Sequence, residues 1–177
     1  MRDFLCICLI LTTISAVQAE PKVSPLTTPQ HPAVVKQEFV YTKAPFPQCH
    51  ASTITPTKSG LLVAWFGGTR EKNPDVEIWV SHYDDHKWSP VRSVANGVQS
   101  TDLRYPCWNP VLFTQPDGEI QLFYKVGANP REWWGEMKTS QDDGKTWSKP
   151  VKLPKRFYGP IKNKPELLAN EILLCPT

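Results

Sequence analysis

The sequence contains no run of basic residues, no C-x-x-C pair and no Asn-x-Ser/Thr triplet. Beyond its N-terminal stretch it also lacks an apolar segment long enough to span a bilayer. Without a basic run, a formal net charge of +3 over 177 residues is too small and too dispersed to argue for nucleic acid as a partner. It is compatible with an anionic ligand and does not require one. Cysteine is scarce: of five, Cys6 and Cys8 fall in the N-terminal apolar run, leaving Cys49, Cys107 and Cys175. An odd number builds no disulfide framework, and one bridge with one free thiol or three buried thiols would both fit. Long helical periodicities are missing too. With 18 prolines and seven tryptophans, the composition points to an all-β chain rich in turns.

Arg2 precedes an apolar run from Phe4 to Ile14, and small residues follow, ending in Val17-Gln18-Ala19. This is the pattern of a secretory signal peptide over residues 1–19, so the protein is expected to be secreted or periplasmic. Losing Arg2 and Asp3 together leaves the net charge near +3. Residues 20–36 are polar and rich in Pro and Thr, which reads as a flexible leader into a first strand at Gln37–Tyr41.

The most informative stretch is Ser140-Gln-Asp-Asp-Gly-Lys-Thr-Trp147. Asp142 can accept amide hydrogen bonds across a turn, Gly144 can supply a positive φ, and Trp147 offers an apolar face. Ser140 and Thr146 can bond locally. An earlier stretch, Ser81 to Trp88, keeps the serine and tryptophan of this pattern and has lost its glycine and threonine. The two stretches belong to a longer repeat. Gly60 and Gly118 each close a polar turn before an apolar strand, and Ser81 and Ser140 each end an alternating one. A third copy begins at Gly159. A repeat of several short antiparallel strands, slightly longer than ~40–50 residues, is the signature of a β-propeller blade. We place blade 1 at about 45–100, blade 2 at about 101–158 and the start of blade 3 at 159–177. About two and a half blades leave an edge unmatched, so the chain is expected to be the N-terminal portion of a larger protein and not to fold stably alone.

The eight-residue stretch matches the S-x-D-x-G-x-T-W Asp-box. With Cys49-His-Ala-Ser-Thr53, Gly60 to Thr69, Asp75 to Trp79, Cys107 to Phe113, Leu122 to Gly127 and Gly159 to Pro165, it makes residues 48–177 resemble the sialidase-like propellers, the neuraminidase-type proteins with Asp-box (BNR) repeats. The resemblance implies a six-bladed propeller of residues 37–177 and beyond, with its site at the axial mouth. It also implies Asp-boxes that are structural and peripheral, and a glycan or oligosaccharide substrate processed by exo-α-sialidase-type glycoside hydrolysis. One element differs: where sialidases carry an arginine in the first blade, this chain has Phe46-Pro-Gln-Cys-His50-Ala-Ser. The family's tyrosine nucleophile and remaining arginines would belong to later blades, so this portion is expected to be inactive by itself. A histidine-dependent polysaccharide lyase of the same fold, or a carbohydrate-binding propeller without catalysis, are the alternatives.

Among the residues present, His50 is the sharpest acid/base candidate, because imidazole exchanges protons near neutrality. Asp75 and Glu71 lie where the resemblance puts the family's acid/base aspartate. Period-two alternation sets Asp75, Glu77 and Trp79 on one strand face and Val76, Ile78 and Val80 on the other. Arg70, Arg104, Lys125, Lys162 and Lys164 are cations near expected mouth positions, with Asn163 between the last two, and each could bind a carboxylate or hydroxyl. Trp108 and Asn109 occupy the blade-two position equivalent to His50 and Ala51; the indole can equally stack on a sugar or pack between blades, and an asparagine can bond two hydroxyls. Cys49 and Cys107 are likewise equivalent. His82 and His86 have a spacing that serves metals on a helix, but here it falls in a hairpin turn, so no metal or cofactor is expected.

Overall fold

The computed structural model describes residues 33–176. The expected signal peptide and most of the leader lie outside the described residues. The chain divides into two units, residues 1–38 and 39–177. The described part of the first carries no strand. The second is built from β-strands, with no helix among the described residues, and so with none long and apolar enough to cross a membrane.

β1 (Gln48–Pro56), β2 (Leu61–Gly68), β3 (Glu77–Asp84) and β4 (Lys87–Trp88) form one antiparallel sheet in chain order, and β5 (Arg92–Ala95) also pairs with β3. β6 (Cys107–Thr114), β7 (Ile120–Val126), β8 (Trp134–Ser140) and β9 (Val151–Lys152) repeat the arrangement. β10 (Glu166–Leu167) and β11 (Leu173–Leu174) form a short hairpin in the region read as the third copy. Strict alternation explains why β2 can sit inside the first sheet with both faces covered. Its Leu62, Ala64 and Phe66 join Val76, Ile78 and Val80 against Leu112, Leu122, Tyr124 and Val126 of the second sheet. Its Val63 and Trp65 point the other way, onto Phe46, Val40 and Tyr41. The strand expected at Gln37–Tyr41 is absent: the backbone there is irregular. Val40 and Tyr41 contribute side chains to that second cluster, but their backbone finds no ladder to join.

The two sheets are tied at equivalent positions. Thr55 Oγ1 and Thr114 Oγ1 are hydrogen-bonded at 2.9 Å, and the Leu112 amide donates to Thr53 Oγ1 at 3.3 Å. At the outer end, Asp143 accepts from the Lys58 amide at 3.0 Å and the Ser59 hydroxyl at 2.7 Å, so the box turn of one sheet pins the β1–β2 turn of the other. The complete box closes on itself. Asp142 accepts from the Thr146 hydroxyl at 2.6 Å and its amide at 2.8 Å, while Ser140 Oγ accepts the Gly144 amide at 2.9 Å. The Thr146 hydroxyl and amide together draw the Asp142 carboxyl down to about 2. Gly144 has φ +80° and Trp147 packs half-buried on the core.

The degenerate box solves the same turn differently. Asp84 pairs with Lys87, which leaves a two-residue loop of Asp85 and His86, both left-handed at φ 48° and 62°. That geometry favours Asn-Gly, and neither present residue relieves the strain as glycine does. The Asp85–Lys87 ion pair at 3.9 Å is solvent-exposed and stabilises little. Replacing Asp85 with Asn and His86 with Gly should therefore raise stability by about 1 kcal/mol, or roughly 3 °C in a thermal unfolding scan. An unchanged or lowered midpoint would show the turn to be unstrained.

Candidate functional site

The strand register places the start of β1, the end of β2 and the start of β3 at one end of the first sheet, with Gln48 opposite Gly68 and Gly67 opposite Glu77. A cleft of about 440 Å³ opens there, lined by Gln48, Cys49, His50, Phe66, Gly68 and Glu71 among others. His50 is exposed, and its ring stands edge-on to Phe66 at 5.6 Å between centroids. Glu71 is exposed on the loop that follows β2, and its amide donates to Gln48 Oε1 at 3.4 Å. The structure thus brings His50 and Glu71 to one cleft.

A bulge shapes this end of β1. The pairing with β2 slips between His50 and Thr53, and Ala51 has φ 54°. β6 repeats the device: its pairing slips between Trp108 and Val111, with Asn109 at φ 36°. Bulges re-aim side chains beside sites, and a left-handed alanine is uncommon enough to mark a constrained position. Sequence comparison of the two copies aligns these residues, but it gives no sign of the bulge, which depends on register.

Asp75 is half-buried in the loop before β3 and accepts from both the amide (2.8 Å) and the hydroxyl of Thr69. Burial raises its pKa, but the two Thr69 bonds outweigh this and hold the carboxyl below its ordinary value. It is a turn-locked anion. Glu77 is paired with Arg104 Nη2 at 2.6 Å, and the same guanidinium donates to the Asp75 carbonyl at 3.2 Å. Arg104 therefore clamps the start of β3 and is not free for a ligand. Arg70 is exposed on the β2–β3 loop, where its carbonyl accepts the Asn73 amide.

The second sheet departs further from expectation. Trp108 is 3% exposed; its Nε1 donates to the Gly127 carbonyl at 2.8 Å, and it packs edge-on to Phe66 and Trp133. It serves as packing between the sheets and offers no open stacking face. Lys125, expected as a substrate cation, is fully buried and donates to the Pro160 carbonyl. Burial drives its pKa down to about 7. Lys164 reaches back to the Leu112 carbonyl at 2.9 Å, whereas Lys162 and Asn163 are exposed. The three described cysteines are free thiols, with Cys107 buried, Cys175 half-buried and Cys49 exposed. Cys49 Sγ lies 3.1 Å from the Tyr41 hydroxyl. Gln48 and Phe66 line the cleft without a sequence signal of their own beyond their distance from His50 in register.

Comparison with known proteins places this architecture. Residues 59–177 match the model of the BNR repeat-like domain. Among solved structures, the Hadza microbial sialidase Hz136 aligns over 71% of this chain and 31% of its own, at 16% identity and a TM-score of 0.59. A protein of unknown function from Dyadobacter fermentans DSM 18053 aligns over 70% of this chain and 44% of its own, at 16% identity and a TM-score of 0.52. No match is found among curated proteins. At such identities the likeness is one of fold, and the chain spans less than half the length of either structure. The fold is all-β and that of part of a sialidase-type propeller, and the chain belongs to the BNR repeat-like domain family.

Proposed function

We propose that this protein is an exported, glycan-active hydrolase whose sugar enters the cleft at the start of β1. The observation that carries the reading is the convergence of His50 and Glu71 on that cleft. A histidine can give or take a proton near neutrality, and a free carboxylate can orient water or stabilise positive charge at the anomeric carbon. The exposed Arg70 on the same loop as Glu71 would meet an acidic substituent. Export rests on the signal-peptide pattern of residues 1–19.

One observation favours a second chemistry in the same cleft. Asp75 is held by Thr69 and Glu77 by Arg104, which leaves Glu71 as the free carboxylate among these three. Paired-carboxyl hydrolysis needs two, whereas β-elimination at a uronate needs one base and a neutralising cation. The full-length protein should be incubated with aryl glycosides and with uronate polymers. Release of the aglycone supports hydrolysis, and an unsaturated-sugar chromophore supports elimination. In either case His50→Ala should lower kcat/KM about a hundredfold, with an unchanged unfolding midpoint. A His50→Ala protein with full turnover would remove the cleft from the chemistry.

A further inference from the structure

The opposite end of the first sheet carries a second cleft, of about 360 Å³. Leu61 pairs with Tyr83 there, six register steps from Gly67 opposite Glu77, so the two clefts are about 20 Å apart along the strands. Three elements build it: the end of β3 with the β3–β4 hairpin, β5, and the box turn of the neighbouring sheet. Its charged side chains are Asp84, Lys87, Arg92, Asp143 and Lys145, with His82 and Ser89 beside them.

The groups are divided between those already committed and those open to a ligand. Asp143 at the back is bonded once on each oxygen, Oδ1 by the Lys58 amide and Oδ2 by the Ser59 hydroxyl. Ser89 Oγ accepts the His82 amide at 3.0 Å. Arg92 is fixed from one side, because its Nη2 donates to the Gly144 carbonyl. A guanidinium held in that way offers its remaining N–H groups as a planar fork suited to a carboxylate. Lys145 stands exposed at the rim, as does Lys87, whose ion pair with the exposed Asp85 at 3.9 Å is loose enough to yield to a ligand. These three cations share the cleft with two carboxylates, and of the two Asp84 is the one not bonded to the β1–β2 turn.

The presence of Asp84 decides the class of ligand. A bare inorganic anion would be drawn to the cations and repelled by Asp84. A saccharide bearing a carboxylate satisfies both, with its acid on Arg92 and the lysines and its hydroxyls donating to Asp84. We infer that the cleft between the β3–β4 hairpin and the Asp-box turn is a second glycan site, selective for an acidic sugar and separate from the cleft at His50. The site would hold an acidic glycan on the protein without turning it over.

The test is titration of the full-length protein with tri-galacturonate, with maltotriose as neutral control and sodium sulfate as competitor. Tri-galacturonate should bind saturably, on the order of 1 mM or tighter, and more weakly as salt rises. Lys87→Ala/Lys145→Ala, at two exposed positions, should weaken it at least ~10-fold, and His50→Ala should leave it unchanged. Absence of binding, equal binding of maltotriose, or full displacement by equimolar sulfate would overturn the proposal. So would binding that is lost in His50→Ala and kept in the double lysine variant, because the acidic glycan would then occupy the other cleft.

Discussion

Lys125→Met should stabilise the protein by about 3 kcal/mol at pH 6 and destabilise it by up to about 1 kcal/mol near pH 10. Lys125 is fully buried on β7 and has a pKa of about 7 in place of the ordinary 10.5. The sign follows from which state holds the proton more tightly. Below pH 7 both states are protonated, and the folded state carries the whole cost of a buried ammonium. Between about 7 and 10.5 the unfolded chain keeps a proton that the folded chain releases, so stability rises with pH by roughly 1.4 kcal/mol per unit. Above that interval both forms are neutral and the cost is gone. Integrated, the effect is on the order of 5 kcal/mol. Methionine has a similar volume and no charge, but it leaves the Pro160 carbonyl without its donor, which costs about 1–2 kcal/mol. Urea unfolding of the two proteins at pH 6 and pH 10 reads the difference directly. An equal gap at both values would mean that the buried ammonium is already neutralised by something else.

Lys125 also marks the limit of what the sequence reveals. Lys125, in Leu122-Phe-Tyr-Lys-Val126, was placed among the cations near expected mouth positions. β7 is covered on both faces, so alternation carries no information about which residue reaches solvent. Burial came from the third copy, whose Pro160 carbonyl receives the ammonium. Arg104 was misplaced for a similar reason, and Trp108, open to stacking or packing in the sequence, takes the packing role; each is engaged by a partner distant in sequence, Glu77 and Gly127 respectively. What was legible depended on short range or on repetition. The Asp-box could be read because the bonds that close its turn, from Ser140 and Asp142 to Gly144 and Thr146, lie within seven residues of one another. The repeat set the segments of Thr55 and Thr114 in equivalent places, and the structure joins them by a hydrogen bond. The strand alternation from Asp75 to Val80 also holds, with Val76, Ile78 and Val80 each about 1% exposed or less. His50 was reached through its position in the first copy, and its cleft required the Ala51 bulge, which no local pattern announces.

Gly60→Ala should cost more than ~4 kcal/mol and leave little soluble protein, while Gly118→Ala, its counterpart in the repeat, should cost only about 1–2 kcal/mol. The two glycines close equivalent turns, yet they are required for different reasons. A Cβ on Gly60 would lie 1.9 Å from the Tyr83 carbonyl oxygen and 3.1 Å from its carbon. Those are backbone atoms of β3, held where Leu61 pairs with Tyr83. Relief would need β2 and β3 to separate at their outer end. The Ser59 hydroxyl bond to Asp143, next to Gly60, would be disturbed as well. At Gly118 the constraint is conformational, with φ +93°. The nearest atom to an added Cβ is Lys58 Cε at 2.3 Å, on a flexible side chain that can swing away. A domain stable by ~5–15 kcal/mol tolerates the second loss far better than the first. Thermal unfolding of both variants, with soluble yield as the cruder readout, separates the two mechanisms. Equal losses would mean that the strands can part around an added methyl. The two turns would then be equivalent in energy as well as in sequence.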